Sequence, residues 1–286
     1  MEKYKFTGKT KEIKTVLGLV ILHQIEAVQD LKGVQAGELG GWIEKEENLS
    51  HKGDAWVCGN AQVYGNAQVY GNAQVYDNAR VYDNAQVYDN ARVCNDAWVC
   101  GNARVYDNAQ VCNDAWVYGN ARIYGNARVY GNARVYGNAR VYNNAQVYGN
   151  AWVCGNAQVY GNARVYNNAQ VYGNAWVCGN AQVYGNAQVC GNARVCSDAC
   201  VCNKNHALTV GPVGSRNDYT TFFRDKDNGI TVRCGCFLGK MNDFIEEVRK
   251  THGDNKYAQA YRKAAELAEL QIDCMGEGDK EKSEHG

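Results

Sequence analysis

The chain of 286 residues has a single proline, three methionines and no net charge, with 30 basic side chains against 30 acidic ones. It has no histidine between Val57 and Val201. Neutrality excludes a protein that grips nucleic acid through overall charge, although it leaves room for a local basic strip. Long apolar runs are missing too. The most apolar early stretch, Val16 to Leu22, is far too short to span a bilayer, so no membrane association is expected. The opening MEKYKFTGKTKEIK lacks the apolar core and cleavage site of a signal peptide, and none is expected. One proline beside 31 glycines excludes collagen and proline-rich linkers. Cysteine is not scarce, at 13 residues. Disulfide scaffolds are short secreted chains, however, so the composition predicts a cytoplasmic protein with reduced thiols.

What is present is a repeat. An aliphatic residue recurs every sixth position from Val57 through Ile123 to Val201, without one insertion, which makes twenty-five hexads. Each hexad reads Ala, a variable residue, Val, Tyr or Cys, then Gly, Asp or Asn, then Asn or Asp. Side chains alternate across a strand, so an inward Val brings the preceding Ala inward and turns the variable residue and the Tyr/Cys outward. Gly-Asn and Asp-Asn tolerate positive φ and make a corner. A helix is excluded, because period six does not match 3.6. Three sides close a triangular coil of three hexads, and parallel ladders stack it on the next coil at about 4.8 Å. Two hexads per coil is the structural alternative.

The expected class is mainly β, a parallel β-solenoid with about 18 residues per coil. Its flanks are expected to cap the open ends, which would otherwise template aggregation. Residues 1–50 read as an N-terminal β cap, 51–205 as the solenoid, 206–274 as a C-terminal module and 275–286 as a charged, disordered tail. Within the module the sequence predicts a hairpin turning at Asp227-Asn228-Gly229. Two helices follow, one capped at Asn242 and ending at Gly253, the other capped at Asn255.

The hexad resembles the hexapeptide repeat of left-handed parallel β-helices, the fold of many acyl- and acetyltransferases. Left-handed winding is implied by that resemblance. The entry segment GELGGWIEKEENLS followed by GNAxVY units resembles bacterial and prophage proteins of the YdcK type, which carry a transferase label because of their repeats. The segments TVGPVGSRND, RCGCF and THGDNKYAQAYRKA resemble the terminal module of phage proteins with similar arrays. The resemblance implies a phage or prophage origin and a homo-oligomer, expected as a trimer. It implies architecture and carries no established activity.

Transferases of this fold use a histidine base and a loop excursion. Here the candidates His51 and His206 sit at the ends of the array, and His252 precedes Gly253, where it favours a helix dipole. An acyltransferase using acyl-CoA is therefore the alternative reading, and no cofactor is expected. Nine cysteines occupy the Tyr position and read as drift. With 18-residue coils, Cys94 and Cys112 become vertical neighbours, as do Cys178 and Cys196, close enough to oxidise. Cys234 and Cys236 are metal candidates on a predicted strand, facing one side, although packing beneath the helices is the plainer reading.

The outward ladders are the remaining candidate. Trp98, Trp116, Arg134 and Trp152 fall in successive turns of one face, and Arg122, Arg128, Arg134 and Arg140 form a belt. Flat groups at regular spacing stack bases, sugars or aromatic side chains, which makes a nucleotide or nucleic-acid binder a third reading. Cross-strand ladders alone also explain the composition, and that explanation weighs more. In GPVGSRND, Arg216 belongs either to an anion-binding nest or to a turn between solenoid and module. The sequence thus points to a non-catalytic scaffold that binds a host or phage protein or a small anionic ligand.

Overall fold

The computed structural model describes residues 2–16 and 18–274. The tail expected at 275–286 lies outside the described residues. The array forms a parallel β-solenoid of about nine turns with about 18 residues per coil. Twenty-five two-residue strands run from Trp56–Val57 to Cys200–Val201. Three hexads per coil is the observed arrangement, since Arg92 pairs in parallel with Gln74 on one side and Gln110 on the other.

The inside–outside assignment follows the sequence. The inward Ala and Val side chains of the array are buried, so the lumen is dry and full. Backbone ladders join the coils: Arg104 N–H donates to Ala121 O at 2.9 Å, and Tyr106 N–H to Ile123 O at 3.0 Å. The first residue of each corner takes φ from 55° at Asn95 to 73° at Gly161. At Gly125 an added Cβ would lie 2.8 Å from Asn143 N, so the corners are tight as well as left-handed. The second corner residue builds amide ladders. Asn66, Asn84, Asn102 and Asn120 each donate to the residue one coil later, the last to Asn138, at 3.1 to 3.2 Å.

The chain divides into two compact units, Met1–Asn150 and Ala151–Gly286. The first begins with β1 (Tyr4–Thr15) and β2 (Gly18–Ala27), an antiparallel hairpin with a bulge between Phe6 and Thr10. KTKEIK extends the first strand, because its residues pair across to Leu19–Leu22. β3 (Leu39–Ile43) pairs with β2 and then, in parallel, with Gln62–Val63 of the array. Gly40 and Gly41 allow this close approach: a Cβ on Gly40 would lie 2.5 Å from Ile25 Cγ1, and one on Gly41 2.8 Å from Ala61 O.

Side chains then satisfy the open edge of the first coil. Lys3 Nζ donates to Ala55 O at 2.6 Å, Asn48 Nδ2 donates to Ala67 O at 2.9 Å, and Glu44 accepts from Gly65 N at 2.6 Å. This is how the fold removes a solenoid's aggregation-prone end.

In the second unit the rungs stack in three columns, such as Trp152 on Gln170 on Gln188. Beyond Val201 comes a four-stranded antiparallel sheet of Ala207–Val213, Asp218–Arg224, Ile230–Cys234 and Phe237–Lys240, in chain order. Helices α1 (Met241–His252) and α2 (Lys256–Gln271) cover it, burying Phe222, Val232, Phe244 and Tyr261. Asn255 caps α2 by accepting from Tyr257 N and Ala258 N. Asn242 does not cap α1. The cap is Lys240, with no side-chain bond, because the chain passes straight from the last strand into the helix.

The sheet seats on the last coil through Arg194 N–H donating to Thr221 Oγ1 at 3.0 Å and Lys226 pairing with Asp198 at 3.0 Å. No described helix is long and apolar enough to cross a membrane.

Candidate functional site

Three faces of the first unit carry different columns of variable residues. The register puts Trp42, Gln62, Arg80, Trp98, Trp116 and Arg134 on one face. A second carries Trp56, Gln74, Arg92, Gln110, Arg128 and Gln146, so its arginines alternate with glutamines. The third runs Gln68, Gln86, Arg104, Arg122 and Arg140, which places three arginines in direct succession. The belt of Arg122, Arg128, Arg134 and Arg140 therefore divides over three faces, with Arg122 and Arg140 vertical neighbours. Trp152 lies in the second unit, exposed on its rung.

On the tryptophan face the flat groups are already occupied. Trp98 stacks on Trp116 with centroids 4.8 Å apart and planes 4° off parallel. Arg80 covers Trp98 at 4.9 Å and Arg134 covers Trp116 at 5.3 Å. This sandwich presents ring edges rather than faces to solvent, so it offers no platform for a base or a sugar. Lys11 of β1 lies 5.7 Å over Trp42 and lines, with Asp96, Trp98, Asp114 and Trp116, a polar cleft of about 580 Å³.

The tyrosines are likewise stacked on one another. On the arginine face Tyr70, Tyr88, Tyr106, Tyr124 and Tyr142 form one column, with centroids 4.8 to 5.0 Å apart and planes within 2°. Burial raises the pKa of Tyr124 against the opposing pull of Arg140 and Arg122, and it raises that of Tyr106 as well. Their hydroxyls thus remain donors at neutral pH.

Each candidate base is held by its neighbours. The His51 ring stacks on Tyr4 at 4.4 Å, and its Nδ1 accepts Lys3 N–H at 3.1 Å. His206 is buried, with Nδ1 3.3 Å from Cys202 Sγ and Nε2 2.9 Å from the Asn203 amide. The buried Arg224 reaches His206 Nδ1 at 3.4 Å and also donates to Asn228. Burial pushes the Cys202 thiol up, against Tyr184 and Arg224. This Cys–His–Asn–Arg cluster closes the end of the array, and the sequence reading missed the arginine because Arg224 lies 18 residues after His206 and only the pairing of the sheet's first two strands brings them together.

His252, Arg216, Cys234 and Cys236 were separate candidates in the sequence, and the structure brings them together. With Phe244 and Tyr261 they line a cleft of about 200 Å³ between the sheet and α1. His252 stacks on Tyr261 at 5.8 Å, and Arg216 reaches the Cys236 sulfur at 3.9 Å. The two cysteines do not share a strand face as expected. Cys234 ends its strand, and Gly235, at φ 57°, turns the chain so that Cys236 lies in the loop before Phe237. Among the described residues no group of three His, Cys, Asp or Glu side chains is placed to hold a metal ion. Arg216 belongs to a turn inside the module, between its first two strands, rather than to a turn joining it to the solenoid.

Two cysteine pairs are bonded. Cys94 joins Cys112, and Cys178 joins Cys196, with Cα atoms 4.7 and 4.6 Å apart. The expectation of reduced thiols throughout fails at these four positions, because in-register parallel rungs hold the two Cβ atoms of each pair at bonding range.

Nine segments of the array match a family model described as the YdcK beta solenoid repeat: residues 73–87, 85–101, 97–113, 115–131, 121–135, 133–149, 157–173, 169–185 and 187–203. No curated protein matches the chain.

Proposed function

We propose that this chain, a YdcK-like β-solenoid repeat protein, is a non-catalytic scaffold that presents its outer faces to a binding partner. The observation that carries this reading is the placement of the histidines. The array contributes none, and His51, His206 and His252 are each engaged in stacking or buried hydrogen bonds that hold a cap or the terminal module together. The buried Ala/Val lumen leaves no interior room for a substrate.

A phage or prophage origin, left-handed winding, a cytoplasmic location and a trimer formed by copies of the chain belong to the same proposal. So does a small anionic ligand at Arg216, which lines a cleft of the terminal module together with Cys234, Cys236 and His252. The solenoid stiffens the presentation, because each coil is locked to its neighbours by ladder bonds.

Thermal unfolding with and without acetyl-CoA, paired with native mass measurement, tests the reading. A scaffold shows no change in Tm at saturating acetyl-CoA, and its mass is three times that of the chain. A ligand held at about a hundred times its Kd would add about 2.7 kcal/mol of stability. A rise in Tm of that size, together with acetyl transfer lost on His51→Ala, His206→Ala or His252→Ala, would establish the enzyme instead.

A further inference from the structure

The column of Arg104, Arg122 and Arg140 is the feature that the fold itself does not account for. Like charges placed directly opposite in a sheet are unfavourable, and the second face avoids this by alternating arginine with glutamine. On the third face three guanidiniums succeed one another at the strand spacing of about 4.8 Å. All three are exposed, and none has an ion-pair partner among the described residues. The corners that precede these rungs are Gly101-Asn102, Gly119-Asn120 and Gly137-Asn138, with no carboxylate. Of the corners that follow, Asp107 alone is acidic, and its Oδ2 is taken by Gly125 N–H at 2.9 Å.

The surroundings narrow the ligand. Tyrosine hydroxyls run alongside the arginines, and amide ladders border both sides, Asn102 to Asn120 at 3.1 Å and Asn108 to Asn126 at 3.2 Å. The strip is therefore straight, polar and rich in donors, and its donors recur once per coil. Tyrosine faces are covered by other tyrosines within 2° of parallel, so a nucleic acid would find charge here but no ring on which to stack its bases. A chain of sugars needs no free ring face if its hydroxyls and carboxylates meet hydrogen-bond donors. One sugar residue is about as long as one coil is thick.

We propose that the face carrying Arg104, Arg122 and Arg140 binds a linear acidic glycan, a polyuronate lying along the solenoid with its carboxylates met by the guanidiniums. The inference rests on the non-catalytic binding reading above and names a ligand class for one face.

The test is titration of the full chain with fluorescent oligogalacturonate, followed by anisotropy at salt concentrations from about 50 to 200 mM. The key variant is Arg104→Gln/Arg122→Gln/Arg140→Gln, which extends the glutamine already present at Gln86 in that column. It is expected to bind about tenfold more weakly, with the log–log salt slope reduced by about 2. The control Arg92→Gln/Arg128→Gln, on the second face, is expected to stay within about twofold of the parent.

Circular dichroism checks that the triple variant folds. If it does not, Arg122→Gln alone is expected to weaken binding about threefold. Unchanged binding in a folded variant, absence of binding by the parent chain, or equal affinity for single-stranded DNA of matched charge each overturns the proposal. A chain that ignores oligogalacturonate and is also indifferent to acetyl-CoA loses this inference and keeps the scaffold reading.

Discussion

Lys3 is fully buried, and its ammonium group sits at the open edge of the first coil, donating a hydrogen bond to Ala55 O. Burial draws its pKa down to about 8, against a smaller upward pull from Asp54. Between about pH 8 and 10 the unfolded chain keeps a proton that the folded chain has released, so this lysine's contribution to stability grows as pH rises. Buried tyrosines and thiols act in the other direction. Burial lifts Tyr64 to about 12 and raises Cys58 and Cys100, so the folded chain holds their protons after the unfolded chain has lost them. That part of the stability is lost above about pH 9. The net curve mixes both, and a variant separates them. Relative to Lys3→Met, the parent protein is expected to gain at most about 3 kcal/mol between pH 8 and 10.5, read from paired urea titrations. A difference that stays flat over that window would mean the ammonium is not buried.

At the scale of one coil, the two disulfides each close an 18-residue loop, from Cys94 to Cys112 and from Cys178 to Cys196. A loop of that size is worth about 3 kcal/mol through the unfolded state. Alkylation of the denatured, unreduced protein is expected to label nine cysteines, and thirteen after reduction. Reduction should lower Tm, and Cys94→Ser/Cys178→Ser should match the reduced protein. The pairing was legible once the coil length was fixed, and so were the rungs, because every hexad repeats the same inward Ala and Val. Other elements were hidden for identifiable reasons. KTKEIK has no hairpin signal of its own, and only its register with Leu19–Leu22 shows it to be half of a long hairpin. RCGCF reads as a strand until Gly235 takes positive φ and splits the two thiols. The arginine column was present in the spacing of Arg104, Arg122 and Arg140, but a belt read around the coil conceals what a column along the coil reveals. The cleft that gathers Arg216, Cys234, Cys236 and His252 was beyond any local reading, since it depends on how α1 packs across the turn.

For the molecule as a whole, the phase of three hexads per coil is what keeps each face chemically distinct. Removing residues 62–79, one complete coil, leaves every later residue on its original face, because the stacking partner changes by 18 positions. Removing only Asp114–Gly119, a single hexad that holds none of the three arginines, shifts the later rungs by one face. Arg122 then stacks on Trp98 and Arg128 on Arg104, so Arg104, Arg122 and Arg140 no longer share a column. Both deletions keep an Ala and a Val on every inward side, so both are expected to fold, with β-rich circular dichroism and similar cooperativity in each. Their surfaces should differ. The full-coil deletion is expected to retain oligogalacturonate affinity within about twofold, whereas the one-hexad deletion loses about as much as the triple glutamine variant. Equal affinity in the two deletions would show that the binding face does not depend on coil register, which is the premise that ties the monotony of the sequence to its use.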